Sequence, residues 1–240
     1  MGGLIHSFES LAAVDGVGLR CAVFLAGCPL RCAYCHNPDT WKPEGGKETD
    51  AETLVRKIAR YKPYFGAEGG VTFSGGEPLL QADFLRDMMP LLEREGVGYI
   101  VDTSGALPLT DTVKEVLGGS QSVLLDLKLP TEESYRVHTG GSLASVLETL
   151  SYLDSIGKRT VIRTVIVPGW NDTEEALDDY LALLRGVSCV ERHELLGFHT
   201  MGFFKYRELG IVNPLADTPA LAPEVLTRLQ KYVDGRLIMK

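Results

Sequence analysis

The sequence predicts an α/β fold, an incomplete TIM-like barrel of about six strand-then-helix units, (β/α)6. Three observations carry that expectation. Apolar β-rich runs alternate with amphipathic helical patterns along the chain. The strand candidates are nearly continuous in Val, Ile and Leu, as strands of a parallel sheet buried on both faces are. Neither a short fixed repeat nor a low-complexity linker interrupts the alternation, and 240 residues is an ordinary length for one α/β barrel domain. A doubly wound sheet satisfies the same pattern, and the number of units favours the barrel.

The strand candidates are RCAVFLAGC (20–28), GGVTFSGGE (69–77), VGYIVDTSG (97–105), SVLLDLK (122–128), RTVIRTVIVPG (159–169) and VERHELLGF (190–198), stopped by Gly or Pro. Between them, ETDAETLVRKIARY (48–61) reads as a helix with Asp50 as its N-cap. LLQADFLRDMMPLLEREG (79–96) ends on a Gly that suits a C-cap, and Pro90 inside it is expected to kink it. LTDTVKEVLGG, SLASVLETLSYLDSIG, NDTEEALDDYLALLRG and APEVLTRLQKYV complete the helical set. The whole chain is expected to form one domain, with an N-terminal extension over about 1–19 and a long loop over about 27–49 that is polar and Gly-rich from 36 onward.

Composition narrows the class of function. At 45% hydrophobic and 23% charged residues the chain is ordinary globular protein, neither disordered nor membrane-embedded. A formal net charge of −8, with no cluster of Lys and Arg, argues against a nucleic-acid surface. No apolar run is long enough to span a bilayer, and MGGLIHSFES lacks the basic flank and apolar core of a secretory signal. A cytoplasmic location is therefore expected, and there thiols stay reduced.

In such folds chemistry sits at the carboxyl ends of strands. Here the first strand runs into Cys28-Pro29-Leu30-Arg31-Cys32-Ala33-Tyr34-Cys35, the second into Ser74-Gly75-Gly76-Glu77 and the third into Asp102-Thr103-Ser104-Gly105. The fourth ends in Asp126-Leu127-Lys128, and the sixth stops just before His199.

Three of the five cysteines fall within eight residues, with no fourth thiol nearby. A disulfide would leave one cysteine over and suits neither the compartment nor the spacing. A zinc site could draw on Cys28, Cys32, Cys35 and His36, but closed zinc sites usually take two separated ligand pairs, and adjacent Cys35 and His36 would strain a tetrahedral shell. A thiol-disulfide oxidoreductase using Cys32 and Cys35 leaves the third cysteine without a purpose. A 4Fe-4S cluster normally takes four thiolates, so three leave one iron open to bind something else. That gives the missing fourth thiol a chemical meaning.

The spacing Cys-x3-Cys-x2-Cys, with Tyr34 before its last cysteine, resembles the signature of the radical S-adenosylmethionine (radical SAM) enzymes, and Gly75-Gly76-Glu77 resembles their GGE motif. A lone GGE would be weak, since Gly-Gly before an acid often makes a turn into a helix. The likeness runs on through IHSFESLAAVDGVGLR, GCPLRCAYCHNPDTW, GGVTFSGGEPLLQ, VDTSG, LLDLK, VIRTVIVPGWND and ELLGFHTMG. Over essentially its whole length the sequence resembles the activating enzymes of glycyl radical enzymes, above all those acting on pyruvate formate-lyase. It lacks the cysteine-rich insert of several other activases.

The resemblance implies a radical SAM barrel with one 4Fe-4S cluster on Cys28, Cys32 and Cys35. S-adenosylmethionine would chelate the open iron, and a flavodoxin or ferredoxin would donate the electron. A glycyl radical enzyme, pyruvate formate-lyase, would be the protein substrate, the alternative being a different glycyl radical enzyme or another radical SAM reaction, and an activase that embraces a protein loop has reason to be monomeric. By the same resemblance Tyr34, Cys35, His36, Gly75, Gly76, Glu77, Asp126, Leu127, Lys128, Arg163 and His199 contact the cofactor, and Asp102, Thr103 and Asp126 ligate Na+ or K+.

Plainer alternatives stand beside these roles. His36 could be a loop histidine, and Asp126 with Lys128 a surface ion pair. Arg163, in a strand otherwise of Val, Ile and Thr, needs a partner that is either structural or the cofactor. Ser104 stands where Asn is expected, and Gly197-Phe198 where Pro-Tyr is usual. Asp15 either meets the partner's glycyl loop or forms a turn. Cys21 and Cys189 read as small buried hydrophobes, and His6, His138 and His193 receive no role.

Overall fold

A computed structural model describes residues 2–237. Its strands are β1 (Gly2–Ala12), β2 (Arg20–Leu25), β3 (Lys47–Asp50), β4 (Gly70–Gly75), β5 (Tyr99–Thr103), β6 (Ser122–Asp126), β7 (Thr160–Ile166) and β8 (Val190–Gly197). They form one sheet in the order β3-β1-β2-β4-β5-β6-β7-β8, which does not close on itself. This is the expected unclosed α/β sheet: β2, β4, β5, β6, β7 and β8 are the six strands read from sequence, each shortened at one or both ends.

Two strands were not expected. β1 falls in the supposed N-terminal extension, and β3 in the supposed loop. Both pair antiparallel, β1 with β2 and with β3. Their composition hid them. β1 carries His6, Ser7, Glu9 and Ser10 on a half-buried strand with register shifts, and β3 is the polar Lys47–Asp50 at the sheet edge, where strands are commonly charged.

The helices are α1 (Ala51–Ala59), α2 (Lys62–Phe65), α3 (Ala82–Arg94), α4 (Asp111–Gly119), α5 (Glu132–Thr139), α6 (Leu143–Ser155), α7 (Glu174–Leu183), α8 (Phe203–Glu208) and α9 (Pro223–Leu237). Asp50 caps α1 as expected, its carboxylate accepting from Thr53 N at 2.8 Å. Residues 48–50, read as helix, belong instead to β3, and 78–81 form a 3-10 turn before α3. Pro90 lies inside α3, which continues to Arg94.

The chain divides into two compact units. The first comprises residues up to Pro29, Thr40–Thr103 and Leu107–Leu124, and the second Leu30–Asp39, Ser104–Ala106 and the chain from Leu125 onward. Within the first, β2, β4 and β5 pair parallel, and Val23, Leu25, Phe73, Val101, Ile58 and Met88 are buried. Arg20 is fully buried there, and its guanidinium donates to Thr72, Gln121 and the carbonyls of Val17, Glu68 and Val71, a complete set of partners that offsets desolvation. Burial still lowers its pKa to about 10, partly countered by Glu68.

Within the second unit β7 and β8 pair parallel, and Gln230 of α9 bridges the backbone of β8 at His193 and Leu195. His193 is fully buried, with Nε2 2.8 Å from the Thr164 hydroxyl, and burial holds its pKa near 4. It is therefore neutral at physiological pH.

Candidate functional site

In the first unit the loop carrying the thiols is closed at its base. Gly27 N donates to Thr40 O at 2.7 Å and Cys28 N to Trp41 O at 3.1 Å. The GGE segment props the same point, because Gly76 N donates to Leu25 O at 2.9 Å and Glu77 N to Gly27 O at 2.8 Å. Its glycines are needed for that approach. A Cβ on Gly75 would lie 2.3 Å from Leu25 N, and one on Gly76 2.2 Å from Gly27 O, both backbone atoms that cannot swing aside. Glu77 is fully buried, and its Oε1 accepts from Leu79 N at 3.1 Å and from the Thr103 hydroxyl at 2.7 Å. Ser74 donates to Asp102 Oδ2 at 2.6 Å. Sequence reasoning gave Glu77 to the cofactor; in the structure its side chain also ties the strand end to Leu79 N and the Thr103 hydroxyl.

The second unit holds Cys32, Tyr34, Cys35 and His36 on one short stretch. Arg31 N and Ala33 N donate to the carbonyls of Thr139 and His138 at the end of α5, both at 2.8 Å, and Cys35 N closes a turn onto Cys32 O at 3.1 Å. Tyr34 is buried with its hydroxyl 3.4 Å from Lys128 O, which also accepts from Tyr180 at 3.2 Å. Thr164 donates to Leu127 O at 2.7 Å, and Leu127 N donates to Arg163 O at 2.9 Å. Lys128 Nζ meets Asp126 Oδ2 at 2.7 Å. The His36 ring lies flat on His199, centroids 3.7 Å apart and planes 4° apart, with Nε2 3.0 Å from His199 O.

The electrostatics follow from this packing. Burial pushes the Cys32 thiol up to about 11, with Lys128 pulling the other way. Burial would lower Lys128, but Asp126, Cys32, Tyr34 and Tyr135 outweigh it and hold the ammonium above the ordinary lysine range. Burial makes this thiol a poor nucleophile, while the nearby ammonium favours its anion once metal deprotonates it. His36 is lowered by burial and by His199, and His199 by burial.

The chain matches the radical SAM superfamily over residues 23–181. It is 42% identical over 232 residues to the pyruvate formate-lyase-activating enzyme of Clostridium pasteurianum, covering 96% of this chain and 97% of that one. It is 40% identical over 234 residues to pyruvate formate-lyase 1-activating enzyme of Escherichia coli, covering 97% and 95%. The protein belongs to the radical SAM superfamily.

Solved structures share its fold. SuiB of Streptococcus suis with bound S-adenosylmethionine superposes with a TM-score of 0.65 at 17% identity, over 88% of this chain and 45% of that one. A domain of pyruvate-formate lyase-activating enzyme from Bacteroides vulgatus gives 0.57 at 24%, over 70% and 94%.

Radical SAM membership implies a 4Fe-4S cluster and S-adenosylmethionine, and the residues present fit both. Cys28, Cys32 and Cys35 are joined in no disulfide and lie in one loop closed at its base, while Cys21 and Cys189 are buried singly elsewhere. Among the described residues no three His, Cys, Asp or Glu are placed as ligands of one metal ion. The His199 Nδ1 is buried with no hydrogen-bond partner, a polar atom that a bound cofactor could satisfy.

Other candidates separate cleanly. Cys21 is fully buried, its thiol 3.4 Å from Ser10 O, and burial raises its pKa to about 11. Asp15 accepts from Thr72 through its carbonyl at 2.6 Å, and the His138 ring packs on Trp170 at 4.0 Å. Sequence reasoning missed Lys205, Tyr206, Asn171 and Tyr180. Asn171 holds the turn after β7 through Val167 N and Val165 O, and its amide donates to Tyr180 at 2.9 Å. A buried amide just past a strand end was a usable signal; the tyrosines gave none.

Proposed function

We propose that this radical SAM protein is the activating enzyme of pyruvate formate-lyase, forming the glycyl radical of that partner through reductive cleavage of S-adenosylmethionine. The observation that supports it best is three unbridged thiols in one closed loop of a chain 42% identical, over 96% of its length, to an activating enzyme so named. Cys28, Cys32 and Cys35 would hold the 4Fe-4S cluster and leave one iron for the cofactor's amino and carboxylate groups. With both groups bound, the site would supply one-electron reduction of S-adenosylmethionine, the chemistry that would give methionine and a 5′-deoxyadenosyl radical able to take hydrogen from the glycine Cα.

The chain's own residues bind and orient. The Asp126 carboxylate and Lys128 ammonium complement a ligand bearing one charge of each sign. Gly75 and Gly76 let a ligand approach the backbone, while Glu77 keeps the strand end in place. Tyr34, His36, Leu127, Arg163 and His199 would complete the cofactor contacts, and the burial of Cys32 and Tyr34 excludes water. The reading extends to a Na+ or K+ at Asp102, Thr103 and Asp126, each taking the ion beside an existing hydrogen bond. It also includes a flavodoxin or ferredoxin donor, a cytoplasmic location and a monomer. A glycine is the fitting target, since no side chain shields its Cα.

The test is anaerobic incubation with pyruvate formate-lyase, S-adenosylmethionine and reduced flavodoxin. A glycyl radical signal with matching methionine and deoxyadenosine is expected. Deoxyadenosine formed without a radical on that partner would overturn its choice.

A further inference from the structure

The segment 199–206, which follows the last strand into α8, reaches back to the thiol loop through four residues. Tyr206, 2% exposed, donates its hydroxyl to Cys35 O at 2.9 Å. Lys205 Nζ donates to Asn37 Oδ1 at 2.8 Å and to Asp39 Oδ1 at 3.0 Å, and Asp39 Oδ2 is also 3.0 Å away. His199 stacks on His36 and accepts from its Nε2. Gly202 packs so closely that a Cβ there would lie 2.6 Å from His36 O and 3.1 Å from its Cα. Residues 35, 36, 37 and 39 are thus each engaged from 199–206, whereas residues 31 and 33 are anchored to the end of α5. Cys35 stands at the seam between the two anchorages.

We infer that 199–206 is a latch that fixes Cys35, with Tyr206 and Lys205 as its positioning residues. The inference rests on the reading of Cys35 as a cluster ligand. The Tyr206 bond pins the peptide that leaves Cys35, and the Lys205 fork pins the chain two and four residues on. Together they restrict the loop's freedom to move the thiolate away from iron. Partners that orient a ligand in this way typically change metal affinity by about 10- to 100-fold.

The test uses the reconstituted holoenzyme. Iron release to a ferrous chelator is followed anaerobically in the wild type, Tyr206→Phe, Lys205→Met and Lys205→Arg, with the thermal midpoint of each sample recorded. Tyr99→Phe serves as the comparison, because the Tyr99 hydroxyl makes the same kind of bond, to Val116 O at 2.8 Å, within the other unit. Tyr206→Phe and Lys205→Met are expected to release iron roughly tenfold faster, and Lys205→Arg to restore slow release. Tyr99→Phe is expected to release iron at the wild-type rate.

Wild-type release from Tyr206→Phe and Lys205→Met would overturn the latch. So would acceleration in all variants, Tyr99→Phe included, that merely follows the thermal midpoint. Failure of the wild type to hold any iron-sulfur cluster would overturn the reading of Cys35 and the latch with it; clusters held equally well by all variants would overturn the latch alone.

Discussion

At the end of β4 the acidic Glu77 is fully buried, its oxygen shared by Leu79 N and the Thr103 hydroxyl, whereas at the end of β6 Asp126 keeps 28% of its side chain exposed beside a Lys128 that is 14% exposed. Both stretches read as acid-bearing motifs at strand ends. The first spends its acid on shape, tying the end of β4 to Leu79 N and the Thr103 hydroxyl. The second holds a charge pair open to a ligand. A motif's chemistry is therefore not given by its residue types alone; burial and prior hydrogen bonds decide what remains for a substrate.

The sharpest break would come at the thiols, which both strand ends serve. Cys28→Ala, Cys32→Ala and Cys35→Ala are each expected to abolish the cluster and all deoxyadenosine formation. Iron analysis and product chromatography check this, and residual product from any of them would contradict it. Next comes the brace. Gly76→Ala drives a methyl into Gly27 O and should cost about 1–3 kcal/mol, as overpacking does, with iron content falling together with the urea midpoint.

At the β6 end, Asp126→Ala should weaken S-adenosylmethionine binding roughly tenfold, since bonds to charged groups are worth about 1.5–3 kcal/mol. Cluster content should stay unchanged, and cluster loss would make Asp126 a structural residue. The smallest effect belongs to Glu77→Gln, which keeps an acceptor oxygen and loses only charge assistance. Stability should drop by about 1 kcal/mol with cofactor affinity unaltered. An affinity loss at unchanged stability would return Glu77 to the cofactor-contact role that its sequence context implied.

Much of the fold was legible because its parallel strands are buried on both faces and so spell themselves in Val, Ile and Leu. β1 and β3 were not, since an antiparallel edge pair can be built from His, Ser, Glu and Lys without an apolar signature. At the site, the three thiols announced themselves by spacing. Glu77's internal bond to Thr103 did not, because a buried and an exposed carboxylate look alike in sequence. Tyr206 and Lys205 were invisible for another reason: their partners Cys35, Asn37 and Asp39 lie some 166 to 171 residues earlier in the chain. No local pattern records such a meeting.

The measurement that bears most directly on the three-thiol site is electron paramagnetic resonance of the protein reconstituted anaerobically with iron and sulfide, reduced, and recorded with and without S-adenosylmethionine. A reduced-cluster signal whose shape changes when the cofactor is added is the predicted result. A protein that takes up one zinc ion and gives no such signal would contradict the account.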